Sequence, residues 1–369
     1  MTVLTHRPTL RWLVPLLAAV LLAAAGSTIG VIKAAARGGL PERSAAQLLV
    51  DIQKARLDGL SGTLVQSTDL GLPAIPGVAG GSGSSDLSSL VSGPHTLRLW
   101  YAGPNRIRMA LLGSLGESDL VRNGTDLWSW SSKTKSATHR SVPLSAGPPR
   151  SLASVSPVTP QQAADAALRA ISPTTKVSTD GTAVVAGRSA YDLVLRPRES
   201  GTLVGSVHIA VDGKTRVPTR VQVFARGAAK PAFEIGFTSF DPAKPPASVF
   251  RFSPPPGTKV TQESGVGGMF AHRARRPDVA RVPSAAERPH VVGKGWSSVI
   301  VARLPHAVAS GDGPGSMAEM LRLLPVVHGQ WGTGHVLRGT LFSAVLTDDG
   351  RLALGAVPAR TLYAALNAS

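Results

Sequence analysis

The sequence predicts an α+β protein that consists mainly of antiparallel strands in meander order and contains few helices. Short segments rich in β-branched and aromatic residues recur at hairpin spacing in two series, residues 96–142 and 177–240. Asn123-Gly124 in the first series is a strong signal for a two-residue hairpin, because both residues tolerate positive φ. Only a few segments repeat apolar residues with the helical period. Together these observations favour two meanders with helices around them.

Composition limits the kinds of protein this chain can be. With 369 residues, 43% of them hydrophobic, the chain is long enough for two domains with buried cores. It contains no cysteine, which excludes disulfides, thiolate metal sites, a cysteine nucleophile and the lipid-modified cysteine of a lipoprotein. The nine histidines stand apart without a metal-binding spacing, so we expect no metal site and no cofactor.

The N-terminus indicates export. An uncharged, mostly apolar run covers residues 12–32, with Arg11 before it and Lys33 after it. About 20 apolar residues suffice to span a bilayer, whereas a cleaved signal peptide has a shorter apolar core and a small-residue exit such as 34–36. Residues 1–40 are therefore predicted as a cytoplasmic tip and a signal-anchor helix, with cleavage and secretion as the alternative. In both cases the rest of the chain is extracytoplasmic. A buried helix of a soluble protein is the third interpretation.

The formal net charge of +17 invites a comparison with nucleic-acid-binding proteins. Lys and Arg are scattered through strand-like segments, no recognition motif is present, and an exported chain does not normally meet nucleic acid. We therefore expect no nucleic-acid partner. An anionic membrane surface or a polyanionic wall is the natural counterpart, and salt would screen the attraction. A solvated basic surface without a specific partner is an equally good alternative.

The elements of the first half follow in a regular order. A helix begins at Ser44 and ends near Gly59, with apolar residues on one face. Residues 61–68 alternate and predict the first strand, and the Gly-, Ser- and Pro-rich segment 70–93 predicts a loop. The first meander comprises the predicted strands 96–101, 106–112, 119–122, 126–131 and 137–142.

A second helix and a second meander come after a Pro-rich connection. The helix has Thr159 as N-cap and Pro160 as its first residue, and it continues to Ile171. Asp212-Gly213 predicts another hairpin turn. The second meander comprises the predicted strands 177–185, 189–195, 205–211, 218–224 and 233–240.

The C-terminal part predicts a linker and a small α+β domain. Residues 263–289 are rich in Gly, Arg and Pro, lack periodicity and indicate an interdomain linker. Residues 290–369 form the predicted domain. Its elements are a strand at 291–302, a helix at 316–324, a hairpin of strands 339–347 and 351–357 through Asp348-Asp349-Gly350, and a terminal helix at 358–366 with Pro358 as its first residue.

Two sets of motifs resemble a known family. In the first, a strand ends in Gly103-Pro104-Asn105 and is followed by the Asn123-Gly124 turn and Leu127-Trp128. In the second, a tyrosine strand, a strand ending in aspartate, a Pro-x-Arg strand and a closing Phe-x-Phe before Pro-Gly follow in order at 191–197, 211–212, 218–220 and 250–257. This series resembles the LolA-like superfamily of lipoprotein carriers and RseB/MucB sensors. Residues 352–361 resemble the end of the RseB/MucB C-terminal domain.

The resemblance implies a strongly curved antiparallel β half-barrel with helices on its concave face at residues 41–262, plus the small α+β C-terminal domain. It further implies a membrane-anchored, non-catalytic protein whose half-barrel binds a lipid or an acylated lipoprotein. The alternative is an envelope-stress regulator that binds a membrane protein, such as an anti-sigma factor, through the C-terminal domain. One position departs from the carriers, because an arginine that helps to latch their helical lid is replaced here by Gly103. This departure weakens the expectation of a carrier-type release cycle.

Candidate lining residues for the apolar cavity come from the strands of the first meander. Leu97 and Leu99 alternate with Arg98 and Trp100, so the two pairs point to opposite faces, and the sequence does not define which face is concave. Ordinary core packing explains each candidate equally well. The candidates are Leu97, Leu99, Trp100, Met109, Leu111, Trp128 and Trp130.

No catalytic constellation is present in the sequence. Ser132 and Lys135 match the Ser-x-x-Lys nucleophile motif of penicillin-recognising enzymes, but they lie at a hairpin exit without the companion motifs. Asp348 and Asp349 next to Gly350 indicate a turn rather than a catalytic carboxylate pair. Because no nucleophile, base and orienting group come together, we expect a binding protein rather than an enzyme.

Overall fold

The structure, a computed structural model, describes residues 40–72, 94–114, 116–144, 173–263, 289–304 and 321–368. The predicted apolar run near the N-terminus, the predicted helix at 159–171, nearly all of the predicted linker and the first half of the predicted helix at 316–324 lie outside these residues. Within the described ranges, no helix is long and apolar enough to cross a membrane.

The described ranges contain two α-helices and eighteen strands. The helices are α1 (Ala45–Lys54) and α2 (Ala359–Asn367), and short 3-10 helices cover Ala247–Phe250 and Gly295–Ser297. The strands are β1 (Leu60–Thr68), β2 (His95–Tyr101), β3 (Arg106–Gly113), β4 (Gly116–Asn123), β5 (Asp126–Ser131), β6 (Ser136–Ser141), β7 (Thr175–Val185), β8 (Arg188–Pro197), β9 (Val204–Asp212), β10 (Pro218–Ala225), β11 (Pro231–Asp241), β12 (Lys259–Glu263), β13 (His290–Val292), β14 (Val299–Arg303), β15 (Val326–Gly329), β16 (Gly332–Arg338), β17 (Ser343–Thr347) and β18 (Arg351–Gly355).

Strands β1 to β12 form one sheet in the order β12-β6-β5-β4-β3-β2-β1-β11-β10-β9-β8-β7. β1 pairs with β2 on one side and with β11 on the other, so each predicted meander forms one wing of the sheet. Neighbouring strands are antiparallel except for β12 and β6, which are parallel. The coarse prediction of a large antiparallel sheet with few helices is confirmed. β12 was not predicted, because its mostly exposed residues carry no apolar alternation.

The hairpin turns show where the sequence signals were sufficient. Gly124 has φ +65° in the β4–β5 turn, as the Asn-Gly signal predicts. The hairpin predicted at Asp212-Gly213 joins β9 and β10, but the connection runs to Val217 and its positive φ belongs to Arg216 rather than to Gly213. Gly213 serves a different purpose there, since a Cβ would lie 2.4 Å from the Leu40 side chain.

Helix α1 begins as the sequence predicts and ends one turn early. Ser44 is the N-cap, and a reciprocal capping box links it to Gln47. The helix ends at Lys54 rather than near Gly59, because Ala55 adopts an extended conformation that leads the chain into β1. Gly59 is tightly enclosed, since a Cβ there would lie 2.5 Å from the Lys244 Cα.

The main core lies between α1 and the wing formed by the second meander. Leu48 and Leu49 of α1 are buried against Tyr191, Leu193 and other apolar strand residues. The helix therefore covers one face of this wing. The placement of helices on the concave face stays a prediction.

Strands β13 to β18 form a second, antiparallel sheet in the order β13-β14-β18-β17-β16-β15, with α2 packed on one face through Leu362 and Leu366. The single strand predicted at 291–302 was wrong. Gly293 and Gly295 have positive φ, and they turn the chain so that β13 and β14 pair as a hairpin. The strand predicted at 339–347 is confined to β17, and the hairpin β15–β16 before it was not predicted.

The two sheets are in direct contact. Leu341, which precedes β17, is 5% exposed and belongs to the core of the large sheet. Trp296 Nε1 donates a hydrogen bond to Thr175 Oγ1 at 2.8 Å, and Leu203 N donates to Ala356 O at 2.8 Å. The C-terminal sheet thus completes a core begun by the large sheet.

Candidate ligand-binding face

Four of the predicted lining residues lie together on one face of the large sheet. Leu97 is directly opposite Leu111, and Leu99 is directly opposite Met109, in the antiparallel pair β2–β3. Directly opposed residues share a face, so the four side chains form one apolar patch, which continues onto β1 and β4. We call this patch the leucine face, and it consists of Leu64, Leu97, Leu99, Met109, Leu111 and Leu120.

Burial differs across the leucine face. Leu97 and Leu111 are buried, with exposed fractions of 5% and 0%, whereas Leu99 and Met109 are only half-buried. One flank of Leu99 is closed by Phe237, whose ring lies over Gly62, so that a Cβ at Gly62 would come within 2.7 Å of the ring. Leu99 and Met109, at the centre of the patch, are therefore accessible to another molecule, whereas Leu97 and Leu111 are not.

The same face becomes polar on the neighbouring strands. Ser118 is opposite Leu111, and Ser131 and Ser136 continue this row across β5 and β6. The parallel row from Leu120 continues with hydroxyl residues as well, Ser129 and Thr138. One face of the sheet therefore changes from apolar residues on β1–β3 to hydroxyl residues on β5 and β6, with both Leu120 and Ser118 on β4 between them.

The three tryptophans of the prediction lie on the opposite face. Trp100 is opposite Arg108, Trp130 is opposite Asp119, and Trp128 is opposite Val121. Each of these strand positions alternates with the positions that belong to the leucine face and its continuation, so the side chains point to the other side of the sheet. Leu99 and Trp100 are consecutive and so point away from one another. The seven predicted residues therefore do not line one surface.

A crossing segment covers the tryptophan side. We call residues 247–252 the strap, because they run over β3 and β4 after the chain leaves β11. Phe252 packs against Trp128 and Trp130 at ring-centroid distances of 5.4 Å and 6.3 Å, and Phe250 is 1% exposed. The tryptophans accordingly contribute to packing beneath the strap.

A buried ion pair lies under the strap. Arg108 Nη2 donates to Asp119 Oδ2 at 2.6 Å, Arg108 Nη1 donates to Val249 O at 3.4 Å, and the guanidinium stands 5.5 Å from the Trp100 ring. The Asp119 side chain is only 3% exposed. Burial, followed by the neighbouring Asp119 charge, raises the pKa of Glu117. Arg108 thus neutralises a carboxylate and fastens the strap at the same time.

The position that departs from the lipoprotein carriers has a backbone explanation. Gly103 has φ +96° in the β2–β3 turn, a conformation that glycine adopts freely and an arginine would adopt only with strain. Arg98 and Arg106, the arginines nearest to Gly103 in the sequence, are exposed. The turn geometry therefore accounts for the missing arginine.

Polar contacts that the sequence did not reveal hold α1 on the sheet. Tyr191 Oη donates to Pro41 O at 2.8 Å, and the Arg216 guanidinium stands 5.3 Å from the Tyr191 ring. Asp51 of α1 is 3.2 Å from Arg43 and 3.6 Å from Arg216. Residues so distant in sequence meet only through the register of β8, β9 and β10, which no local pattern encodes.

The C-terminal sheet carries a small apolar cleft on the face away from α2. Its volume is about 100 Å³, well below the roughly 300 Å³ at which small-molecule sites begin. Leu323 and Val326 beside it are 51% and 53% exposed. The cleft is lined by Leu304, Leu321, Leu324, His335, Leu337, Ala344, Leu346 and Leu352.

A metal-binding arrangement is not found among the residues that the structure describes, since no three His, Asp or Glu side chains converge there. The chemistry that these surfaces support is apolar contact combined with hydrogen bonding. The leucine face suits a long apolar group, and the C-terminal cleft suits a single apolar side chain.

Comparison with known proteins gives likenesses in fold only. No protein-family model and no curated protein sequence matches the chain. A chain of the MucA/MucB complex of Pseudomonas aeruginosa is similar at 15% identity and a TM-score of 0.41, over 87% of this chain and 96% of that one. A LolA superfamily protein from Nitrosomonas europaea is similar at 12% identity and a TM-score of 0.21, over 57% of this chain and 99% of that one. A putative outer membrane lipoprotein-sorting protein domain from Vibrio parahaemolyticus is similar at 8% identity and a TM-score of 0.21, over 54% and 91%. The chain is thus similar in fold to MucB-type and LolA-superfamily structures.

Proposed function

We propose that this chain is an extracytoplasmic lipid- or lipoprotein-binding protein of the LolA/RseB type, which holds an acyl chain against the leucine face without catalysis. The observation that carries the proposal is the continuous apolar patch across β1–β4 with Leu99 and Met109 half-buried at its centre. Burying an acyl chain there gains about 0.8 kcal/mol for each methylene removed from water. The half-barrel corresponds to residues 41–262, the linker to 263–289 and the C-terminal domain to 290–369.

The polar continuation of the leucine face supports an amphiphilic ligand. The hydroxyl rows on β4–β6 begin where the apolar patch ends, so a bound amphiphile places its chain over β2–β3 and its polar end over Ser129 and Thr138. The positive net charge favours an anionic membrane surface as the source of the ligand. Export by the apolar N-terminal run, either as an anchor or as a cleaved signal, brings the chain to that surface.

Mass spectrometry of the protein purified without detergent, before and after incubation with phospholipid vesicles, tests the proposal. We expect co-purifying or added acylated species on the wild-type protein. The double variant Leu99→Gln, Met109→Gln introduces two amides into the apolar patch and should lower the bound fraction at least tenfold, because each unpaired amide opposes burial of the chain. Leu323→Gln, which places the same amide at an exposed position in the C-terminal part of the chain, is the control and should bind normally. Equal binding by both variants, or none by the wild type, excludes this function.

A second candidate function is favoured by the C-terminal cleft. A cleft of about 100 Å³ with Leu323 and Val326 exposed at its margin fits one apolar side chain of a protein partner. In this alternative the chain is an envelope-stress regulator that binds a membrane protein, such as an anti-sigma factor, through residues 290–369. MucB has been solved in complex with MucA(peri), which makes the extracytoplasmic domain of an anti-sigma factor the first partner to try.

Point variants distinguish the two functions better than truncation does. Removing residues 290–369 also removes Leu341 from the core of the large sheet, so a truncated protein would lose stability together with any partner. Leu323→Gln leaves that core intact. Loss of anti-sigma factor binding in Leu323→Gln with normal lipid binding supports the regulator. Unchanged anti-sigma factor binding in Leu323→Gln, together with loss of lipid from the leucine-face variant, supports the lipid-binding protein alone.

A further inference from the structure

Strand β12 is held on the large sheet with little apolar contact. It comprises only Lys259–Glu263, four of its five residues are exposed, and Val260 has an exposed fraction of 43%. Its pairing with β6 is parallel, which is slightly less stable for each residue than antiparallel pairing. Side-chain contacts must therefore contribute much of what keeps β12 in place.

One of these contacts is a histidine whose two ring nitrogens both meet oxygens. His139 Nδ1 is 2.8 Å from Gln262 Oε1 on β12, and His139 Nε2 is 2.9 Å from Asp126 Oδ1 on β5. A carboxylate oxygen and an amide oxygen both accept hydrogen bonds, whereas a neutral imidazole has a single N–H. Both contacts are hydrogen bonds only when His139 carries a proton on each nitrogen.

Asp126 is the charged group in contact with His139, and the arginines on the same face, Arg106 and Arg108, lie on β3, three strands away. Asp126 comes from β5 and Gln262 from β12, while Trp128 stacks on the ring at 4.3 Å and 20°. The adjacent pair Arg140–Glu263 lies on the other face of β6 and β12, because successive residues alternate. The His139 side chain is 20% exposed, so its proton exchanges with solvent.

We propose that His139 is a pH-sensitive clasp that holds β12 on β6 when it is doubly protonated and loosens β12 when it loses a proton to solvent. Deprotonation leaves a lone pair facing either Gln262 Oε1 or Asp126 Oδ1, and the hydrogen bond at that nitrogen is lost. Histidine changes charge between about pH 5 and pH 8. The loosened strand exposes the outer edge of β6. The Arg140–Glu263 ion pair on the other face limits how far β12 opens.

Hydrogen–deuterium exchange of the full-length protein tests the clasp. Exchange of peptides covering residues 257–263 is followed at pH 5.5 and pH 8.0, with labelling times scaled for the intrinsic pH dependence of amide exchange. We expect protection of β12 to fall roughly tenfold between pH 5.5 and pH 8.0, the effect of losing one charge-assisted hydrogen bond. Peptides from β2 and β3 serve as an internal reference and should not change.

Two variants assign the effect to His139. His139→Gln removes the titrating ring, so β12 should be weakly protected at both pH values. Gln262→Glu places a carboxylate against Nδ1 and should move the loss of protection to higher pH, because it favours the charged ring. His328→Gln, which removes a histidine of the other sheet that contacts Thr333 Oγ1, should behave as the wild type.

Protection that is independent of pH in the wild type, as expected if the Gln262 amide turns to donate to a neutral ring, overturns the proposal. So does a pH response that persists in His139→Gln. If His139→Gln does not fold, Gln262→Glu decides, and an unshifted response in that variant also overturns it.

Discussion

Arg188, the first residue of β8, and Asp212, the last residue of β9, form a bidentate ion pair at one end of the large sheet. Arg188 Nε donates to Asp212 Oδ2 at 2.7 Å, and Arg188 Nη2 donates to Oδ1 at 2.9 Å. Oδ1 also accepts hydrogen bonds from the backbone N–H groups of Lys214 and Thr215. The carboxylate, which is only 1% exposed, therefore organises the whole β9–β10 connection.

Because of this ion pair, we expect the free energy of unfolding to fall when the solution becomes acidic. Burial alone would raise the pKa of Asp212, but hydrogen bonds from Arg188 and Thr215 outweigh it and lower the pKa to about 2. A depressed carboxyl pKa contributes stability above the unfolded pKa of about 3.9 and loses it as the pH falls towards the folded value. We expect about 2 kcal/mol of unfolding free energy to disappear between about pH 4 and pH 2. Urea denaturation at stepped pH should show this loss in the wild type and a much smaller one in Asp212→Asn. Asp58→Asn, at an exposed position, should leave the wild-type profile unchanged.

Replacing Arg108 should destabilise the region beneath the strap. Arg108→Gln leaves the Asp119 carboxylate buried without its cation, and breaking one side of a buried ion pair costs about 3 kcal/mol. Tryptophan fluorescence reports the region directly, since Trp128 and Trp130 pack on Phe252. Arg106→Gln, on an exposed position of the same strand, is the control and should change the urea midpoint little. Equal midpoints for the two variants would mean that Asp119 does not depend on Arg108.

Gly62 allows Phe237 to lie over the centre of the sheet. A Cβ at position 62 would stand 2.3 Å from Ser239 O and 2.7 Å from the Phe237 ring. Gly62→Ala should therefore lower the unfolding free energy by about 1 to 3 kcal/mol through overpacking. Gly201→Ala is the comparison, because its nearest neighbour would be at an ordinary 3.9 Å. Thermal unfolding of both variants by circular dichroism checks the difference, and a neutral Gly62→Ala would show that Phe237 can move aside.

Leu341 should couple the unfolding of the two sheets. Leu341→Ala removes a 5% exposed side chain from the core of the large sheet and should cost about 2 to 4 kcal/mol. Calorimetry should also show a broader or divided transition, because fewer contacts then join the sheets. Leu323→Ala, which shortens an exposed leucine nearby, should retain the wild-type curve. A single sharp transition in Leu341→Ala would place the coupling in the hydrogen bonds of Trp296 and Leu203 instead.

Sequence patterns predicted the strands of the large sheet to within a few residues, because turn residues such as Asn123 and Gly124 mark their ends. They failed at β12 and β15, which are short and largely exposed, and at β16, whose buried positions are Gly334 and Val336 and so give only one large apolar residue in the alternation. Leu97, Leu99, Met109 and Leu111 were named from the sequence and share one face, and their role in ligand binding stays a prediction. Their separation from the tryptophans follows from alternation, but the strap that covers the tryptophans depends on tertiary contacts between residues far apart in sequence.

The position of Leu341 has a consequence for synthesis. The ribosome releases the chain from its N-terminus, so all twelve strands of the large sheet emerge before the side chain that finishes their core. Until translation is nearly complete, Leu193, Leu195 and their neighbours keep one apolar flank unfilled. We therefore expect nascent chains of this protein to present a surface that general chaperones recognise, and a premature stop codon anywhere before residue 341 to yield a product prone to aggregation.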